Sequence, residues 1–370
     1  MNLQEIDKKI IEIARSINFY SYITPLNREE ERDKFFKELK NNRLYNPVFK
    51  YKDRDFSGKM RALRSARSVL DESDSIQMIF AKKLDFIITQ LELLGCGDPE
   101  FKSIAIKLHG SPDEECLRAS KEILFDIKSE EYVFPEETVP SDEMVSILKK
   151  ELNAEGIDWK CVLSSKIVPK ITISGRDRTI YVNSHIDYTL AEVERLKVHE
   201  IRVHVYRGAN GESQPYKIFA EGLAGYDETE EGLAIVAEDI TGVLKADTRQ
   251  MKLYAGRALC ADYCLKGSFY ETFSKLRELF PDYLAYRLTE RGKRGMRDTS
   301  RPGGITKDFH YISGGLKVSK YSEAGGDLSV LYTGKIGLDD VDDVKRLIAD
   351  GVLKTPKYLP EFVNSYGPRG

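Results

Sequence analysis

Residues 198–211 read VHEIRVHVYRGANG. Two of the chain's five histidines, His199 and His204, stand five residues apart here, with Glu200 directly after the first. In the H-E-x-x-H zinc motif the histidines are four apart and share one helix face. Five apart, they fall about 140° apart around a regular helix, against about 40° for four. One metal can reach both only if the backbone departs from the α-helical period. An extra residue in the turn, a π-bulge, does this and occurs mostly at functional sites. A helix that loosens near His204, before Gly208-Ala209-Asn210-Gly211 read as a loop, is the other route. A metal bond can offset the cost of either. The plain alternative is a pair of surface or core histidines.

Outward from this stretch, Thr189 and Glu192 form a T-x-x-E capping box, so a helix should start there and carry the histidines. Before it lie three short β-rich runs, WKCVLSS, KITIS and RTIYVN. The last two are separated by GRD, a hairpin signal. The N-terminal half reads as helix: IDKKIIEIARSI, then MRALRSARSVLDESDSIQMIFAKKLDFIITQLELLG as one long helix or two in series. SPDEECLRASKEILFDI follows, with Ser111 as the expected N-cap before Pro112. FPEETVP at 134–140, with two prolines, is the candidate boundary, and SDEMVSILKKEL is one more helix. Residues 216–290 are mainly helical, whereas glycines and aromatics alternate over 302–332, suggesting loops and short strands. LDDVDDVKRLIADG is a closing helix, and no repeat or low-complexity tract interrupts the chain. The expected fold is α+β and helix-rich, with a small antiparallel sheet next to the histidine helix. A helical N-terminal lobe, 1–140, packs on a catalytic lobe, 141–370, the two forming either separate units or one continuous domain.

Bulk properties narrow the function. The chain has 370 residues, 41% hydrophobic and 32% charged, with a net charge of −3, so no global field draws it to nucleic acid or membrane. MNLQEIDKKIIEIARS lacks the apolar centre of a signal peptide, and no apolar run is long enough to span a bilayer. The five cysteines are an odd count without a tight pairing pattern, which suits a reducing cytosol and a cytoplasmic location. Cys260 and Cys264 could share a helix face and read as buried small hydrophobes.

A catalytic zinc needs a third protein ligand, leaving a fourth position for water. The candidates lie in DETEEGLAIVAED, where Glu230 and Glu231 fall in a helix's first turn or just before it. Acidic residues there often only complement the helix dipole. Two neutral nitrogens and one carboxylate keep the charge low enough for zinc to acidify water.

HEIRVHVYRGANGESQP followed by TEEGLA resembles the microtubule-associated tyrosine carboxypeptidase family and its bacterial relatives. Their hallmarks are an H-E-I-G-T-H helix, an R-x-x-N-x-x-x-Q-P continuation and a T/Q-E-E-G-L element. TPLNREEERDKFF, YNPVFKY, LHGSPD, RGKRGMRDTSRPGGITKDFHYISG and DGVLKTPKYLP extend the resemblance across residues 20–362 in the family's order. It implies a zincin-like HExxxH metallopeptidase with Zn2+ as cofactor. It carries over His199, His204 and Glu231 as ligands, Glu200 as general base and Glu230 as the partner that orients a ligand or water. The family's Gly-Thr before the second histidine is Arg202-Val203 here, and glycine would ease a helix distortion where Arg202 does not.

The activity so implied is removal of a C-terminal residue, tyrosine or another aromatic, from a peptide or protein tail. Glu200 would move the proton of the attacking water. Tyr206, Tyr254, Arg257 and Tyr311 are candidates to stabilise the oxyanion. A terminal carboxylate calls for arginine. Arg291, Lys293, Arg294, Arg297 and Arg301 form the strongest basic cluster, which with Lys307 suits an acidic tail and otherwise reads as a solvated loop. Arg207, Asn210 and Gln214 match the family motif in register and are expected at the pocket or behind it. Their alternative is helix capping and a left-handed turn at Asn210-Gly211. His109, His185 and His310 lack ligand-like spacing. The rivals are a zinc endopeptidase or amidase on the same scaffold, and a catalytically idle peptide-binding regulator.

Overall fold

The computed structural model describes residues 2–52, 55–126, 137–167, 169–246 and 248–365. Helices dominate, with two small sheets between the N-terminal helices and the histidine helix.

The first helix, Leu3–Ser16, is closed by an Asn2–Glu5 capping box and buries Ile6, Ile10 and Ile13 along one stripe. The long apolar tract resolves into two helices, Ser57–Arg67 and Ser75–Gly95, the second capped by the Asp74 side chain. Asp113, rather than the expected Ser111, accepts the Cys116 N–H at 2.8 Å and opens the Glu114–Asp126 helix. The cap falls there because an N-cap carboxylate reaches the amide three residues on. The first helix is tied far along the chain: both Asp7 oxygens accept amides at the start of Ile218–Glu221, from Lys217 at 2.7 Å and Ile218 at 3.0 Å. One apolar cluster runs from Ile6 through Leu84, Ile201 and Leu331 to Val363.

Part of FPEETVP, residues 134–136, lies outside the described residues. The rest supplies β1, Thr138–Val139. Strands β2 (Lys160–Ser164), β3 (Ile171–Ser174), β4 (Thr179–Asn183) and β5 (Tyr188–Thr189) follow. β1 pairs antiparallel with β5. The other three form a sheet of order β2-β4-β3, antiparallel across the expected β3–β4 hairpin but parallel between β2 and β4. The larger sheet is thus mixed rather than wholly antiparallel. β3 lies against the histidine segment.

The region 302–332 departs most from expectation. Its main element is a helix, His310–Glu323, with a short 3-10 turn at Leu328–Tyr332 and no strand among the described residues. Gly303, Gly304 and Gly325 turn the chain at positive φ, but Gly314, inside the helix, serves contact. A Cβ on Gly314 would sit 2.0 Å from the Glu228 carbonyl oxygen, and one on Gly232 would sit 2.1 Å from the Gly314 carbonyl carbon. The His310–Glu323 helix therefore touches the Tyr226–Ile240 helix backbone to backbone. Gly208-Ala209-Asn210-Gly211 is likewise helical, within Tyr206–Ser213. Gly211 is required because a Cβ there would lie 2.3 Å from the Phe219 carbonyl oxygen. Among the described residues no helix is long and apolar enough to cross a membrane.

Candidate metal centre

Thr189 caps the histidine helix as its sequence indicates: its hydroxyl accepts the Glu192 N–H, and Glu192 returns the bond to the Thr189 N–H, both at 3.1 Å. The helix starts regular at Leu190–Leu196, becomes a π-helix over Lys197–Val205, and resumes α geometry at Tyr206–Ser213. The π segment spans HExxxH. Its wider turn returns residue i+5 to the face of residue i, and the His199 and His204 rings lie 4.7 Å apart at 78°. Helix loosening after His204 does not occur. Arg202 does not obstruct the bulge: it points to the neighbouring Ser141–Ala154 helix, where its guanidinium meets Glu151 at 3.0 Å, while Val203 is buried.

Glu230 and Glu231 sit in the second turn of the Tyr226–Ile240 helix, not the first, which holds Asp227 and Glu228. Dipole complementation therefore falls to those two. Ligand atoms of His199, His204 and Glu231 all lie within 4.8 Å of one another. Glu231 Oε2 is buried and has no hydrogen-bond partner among the described residues, the nearest histidine nitrogen, His199 Nε2, being 3.6 Å away. An orphaned buried carboxylate oxygen facing two imidazoles is the donor set that zinc takes.

Each imidazole is fixed from behind. Glu238 Oε1 lies 2.7 Å from His199 Nδ1 and 3.2 Å from Arg195. Glu230 Oε1 lies 2.8 Å from His204 Nδ1 and 3.0 Å from Lys335 Nζ, and its Oε2 accepts from Arg207 at 3.2 Å. With Nδ1–H donated to a carboxylate, Nε2 carries the lone pair a metal uses. Burial opposes the charge on Glu230, but the Lys335 and Arg207 cations and the His204 bond hold its carboxyl well below the usual range. Burial likewise opposes a charged His199, yet Glu231 and Glu238 raise it to about 10. The residues present fit a zinc ion held by His199, His204 and Glu231.

Glu238 and Arg195 were not singled out from sequence. The available signal was a charged residue inside the apolar run GLAIVAED and an arginine four residues, about one helical turn, before His199. Glu200 is half-buried and forms no hydrogen bond or ion pair with a described residue.

The remaining expected site residues separate into two groups. Arg207 is fully buried, spending Nε and Nη2 on the Leu331, Gly334 and Ile336 carbonyls and Nη1 on Glu230. Asn210 binds Lys357 and Tyr358 backbone, and Gln214 binds that of Thr333 and Lys354. All three clamp the C-terminal segment, and Arg207 also holds Glu230 from behind. Most of their partners are backbone groups, which sequence spacing does not reveal. Arg291 is taken by both oxygens of Asp308, Lys307 by Asp227 at 2.8 Å, and Lys293 is buried on three carbonyls. Arg301 pairs with Asp298, and Arg297 is exposed. The basic cluster is thus divided: Arg291 and Lys307 are held in part-buried ion pairs, Lys293 on carbonyls, and Arg301 in a surface pair.

Arg257 and Arg294 differ. Arg257 Nε and Arg294 Nε and Nη2 are buried without hydrogen-bond partners among the described residues. The Arg257 guanidinium lies 5.2 Å from the ring of Tyr311, which stacks on Tyr254 with centroids 4.3 Å apart. Burial raises the Tyr311 hydroxyl, and the charge of Glu231 adds to it, against the pull of Arg257. Tyr311 thus lies beside both Glu231 and Arg257, while the Arg294 guanidinium lies 5.1 Å from the Tyr20 ring. Tyr206 faces Glu155 instead, and Tyr254 is buried behind Tyr311. His310 Nε2 lies 2.9 Å from the His109 carbonyl, a contact within the fold. Cys260 and Cys264 do share a face, with sulfurs 3.9 Å apart in the core.

The sequence profile described as microtubule-associated tyrosine carboxypeptidase matches residues 33–367. The chain belongs to that family. Mouse microtubule-associated tyrosine carboxypeptidase 1 is 25% identical over 360 residues, 92% of this chain and 64% of the relative. The human protein of that name is 28% identical over 234 residues, 59% of this chain and 46% of its own length. A human relative called MATCAP2 is 28% identical over 178 residues, 46% of this chain and 33% of the relative. The chain spans less than two thirds of the length of the curated relatives it matches.

Proposed function

We propose that this protein is a zinc metallocarboxypeptidase that removes a C-terminal residue, tyrosine or another aromatic, from a peptide or protein tail. The observation that carries the exopeptidase reading is a pair of half-buried arginines, Arg257 against Tyr311 and Arg294 against Tyr20, whose buried N–H groups have no hydrogen-bond partner among the described residues. Leaving such groups unpaired is costly, and a terminal carboxylate matches their planar donors. The names of the relatives agree with a carboxypeptidase.

Zinc bound by His199, His204 and Glu231 would supply a Lewis acid that brings a water's pKa to roughly neutral and polarises the scissile carbonyl. Glu200, without a hydrogen-bond or ion-pair partner among the described residues, accepts the proton of the attacking water and returns it to the leaving amine. Glu230 and Glu238 keep both imidazoles in the ligating tautomer. Tyr311 offers a hydroxyl to the developing oxyanion. Arg257 and Arg294 seat the terminal carboxylate and so set where the chain is cut.

The test compares a peptide ending in free tyrosine with its C-terminal amide, by mass spectrometry. The exopeptidase reading expects release of tyrosine from the free acid only. Equal cleavage of the amide, or internal cuts, would favour the endopeptidase or amidase. Glu200→Gln should bind peptide but lose hydrolysis. Hydrolysis at the wild-type rate would remove Glu200 from its role.

A further inference from the structure

A cavity of about 520 Å³ lies between the end of the first helix, the Ser75–Gly95 helix, β3 and the start of the Tyr226–Ile240 helix. None of the three candidate metal ligands lines it. On its wall stands Lys83, only 4% exposed. Lysine is almost never that buried unless paired. Yet Lys83 forms no hydrogen bond or ion pair with any described residue, its contact being the Phe86 ring at 5.4 Å. The carboxylates on the same wall are taken: Glu221 by Arg15 at 3.0 Å and Asp227 by Lys307 at 2.8 Å. Burial pulls the Lys83 ammonium down to about 8, with Glu221 and Asp227 pulling the other way and Lys335 reinforcing the fall. It therefore keeps most of its charge at neutral pH.

We propose that this cavity is an anion pocket in which the Lys83 ammonium receives the carboxylate of a small acid or of an acidic side chain. A buried cation without a counter-ion is an unfavourable arrangement that a bound carboxylate removes. The volume suits a small organic group. The Lys83 ammonium takes one carboxylate, the exposed Arg176 on the same wall, without an ion-pair partner among the described residues, can take a second, and Glu221 and Asp227 weigh against a dianion centred on a single atom. Tyr226 links the pocket to the metal cluster: it lines the cavity, and the Lys335 ammonium that binds Glu230 lies 5.6 Å from its ring.

Two arms separate the sources. The first measures glutarate binding by calorimetry to the purified wild type, Lys83→Met and the exposed neighbour control Lys82→Met. Methionine fills the space of the lysine stem without the charge, so the fold should hold, which circular dichroism checks. The expected result is binding weakened about tenfold or more in Lys83→Met alone. The second arm, which rests on the peptidase reading above, compares hydrolysis of tyrosine-ending peptides with glutamate or glutamine upstream. A glutamate preference that Lys83→Met abolishes assigns the pocket to the substrate's side chain; glutarate binding without that preference assigns it to a free acid. Absence of both Lys83-dependent effects overturns the proposal. Failure to cleave any peptide would sink the peptidase reading and leave the first arm decisive.

Discussion

Glu238 Oε1 lies 2.7 Å from His199 Nδ1, so the carboxylate that fixes the first histidine comes from the same helix as Glu231. That helix thereby presents both a metal ligand and the groups behind the ligands, Glu230 for His204 and Glu238 for His199.

Glu238→Gln keeps the shape and removes the charge, and it should lower zinc affinity by about ten- to a hundredfold. Competition with a chromogenic chelator measures this. Unchanged affinity would mean that the contact is packing only.

The sequence made the histidine helix legible because its two signals are local: the T-x-x-E cap fixes where the helix begins, and five-residue spacing requires a π turn or a loosened helix if both histidines serve one metal, of which the structure has the first. Glu230 and Glu231 were legible as a pair, but their turn was not, since the helix starts at Tyr226 on a left-handed Gly225 instead of at a side-chain cap. Glu238 stayed hidden because a carboxylate buried in an apolar run looks like a surface position until its partners, forty or so residues upstream, are in place. The 302–332 stretch suggests loops and short strands in sequence because glycine's two uses, turning and close contact, look alike in one dimension.

That distinction is testable in adjacent positions. Gly314→Ala forces a Cβ to 2.0 Å from the Glu228 carbonyl oxygen. It should destabilise the protein by about 1–3 kcal/mol and loosen zinc through the helix that carries Glu231. Gly315→Ala meets only Ile235 Cγ2 at 3.4 Å and should be neutral or gain up to about 1 kcal/mol from helix propensity. Denaturant unfolding of the pair checks the contrast, and equal effects would contradict the backbone contact.

Lys83 carries a pH signature. Its folded value, about 8, lies below the usual lysine value of 10.5. The unfolded chain therefore binds more protons between those values, and stability contributed by this group rises with pH across that window. Lys83→Met should stabilise the protein by about 1–3 kcal/mol near pH 7, with the advantage shrinking as pH climbs from 8 towards 10.5. Thermal or denaturant unfolding as a function of pH gives the difference. A gap independent of pH would show that Lys83 is not held below its ordinary value.

The central claim is that His199, His204 and Glu231 hold one zinc ion. Its most direct test is elemental analysis of wild type, His204→Ala and Glu231→Ala, purified without added metal and confirmed folded by circular dichroism. The expected result is about one zinc per wild-type chain, lost from both variants. No zinc in the wild type even after zinc is supplied, or full retention in both variants, would contradict the claim.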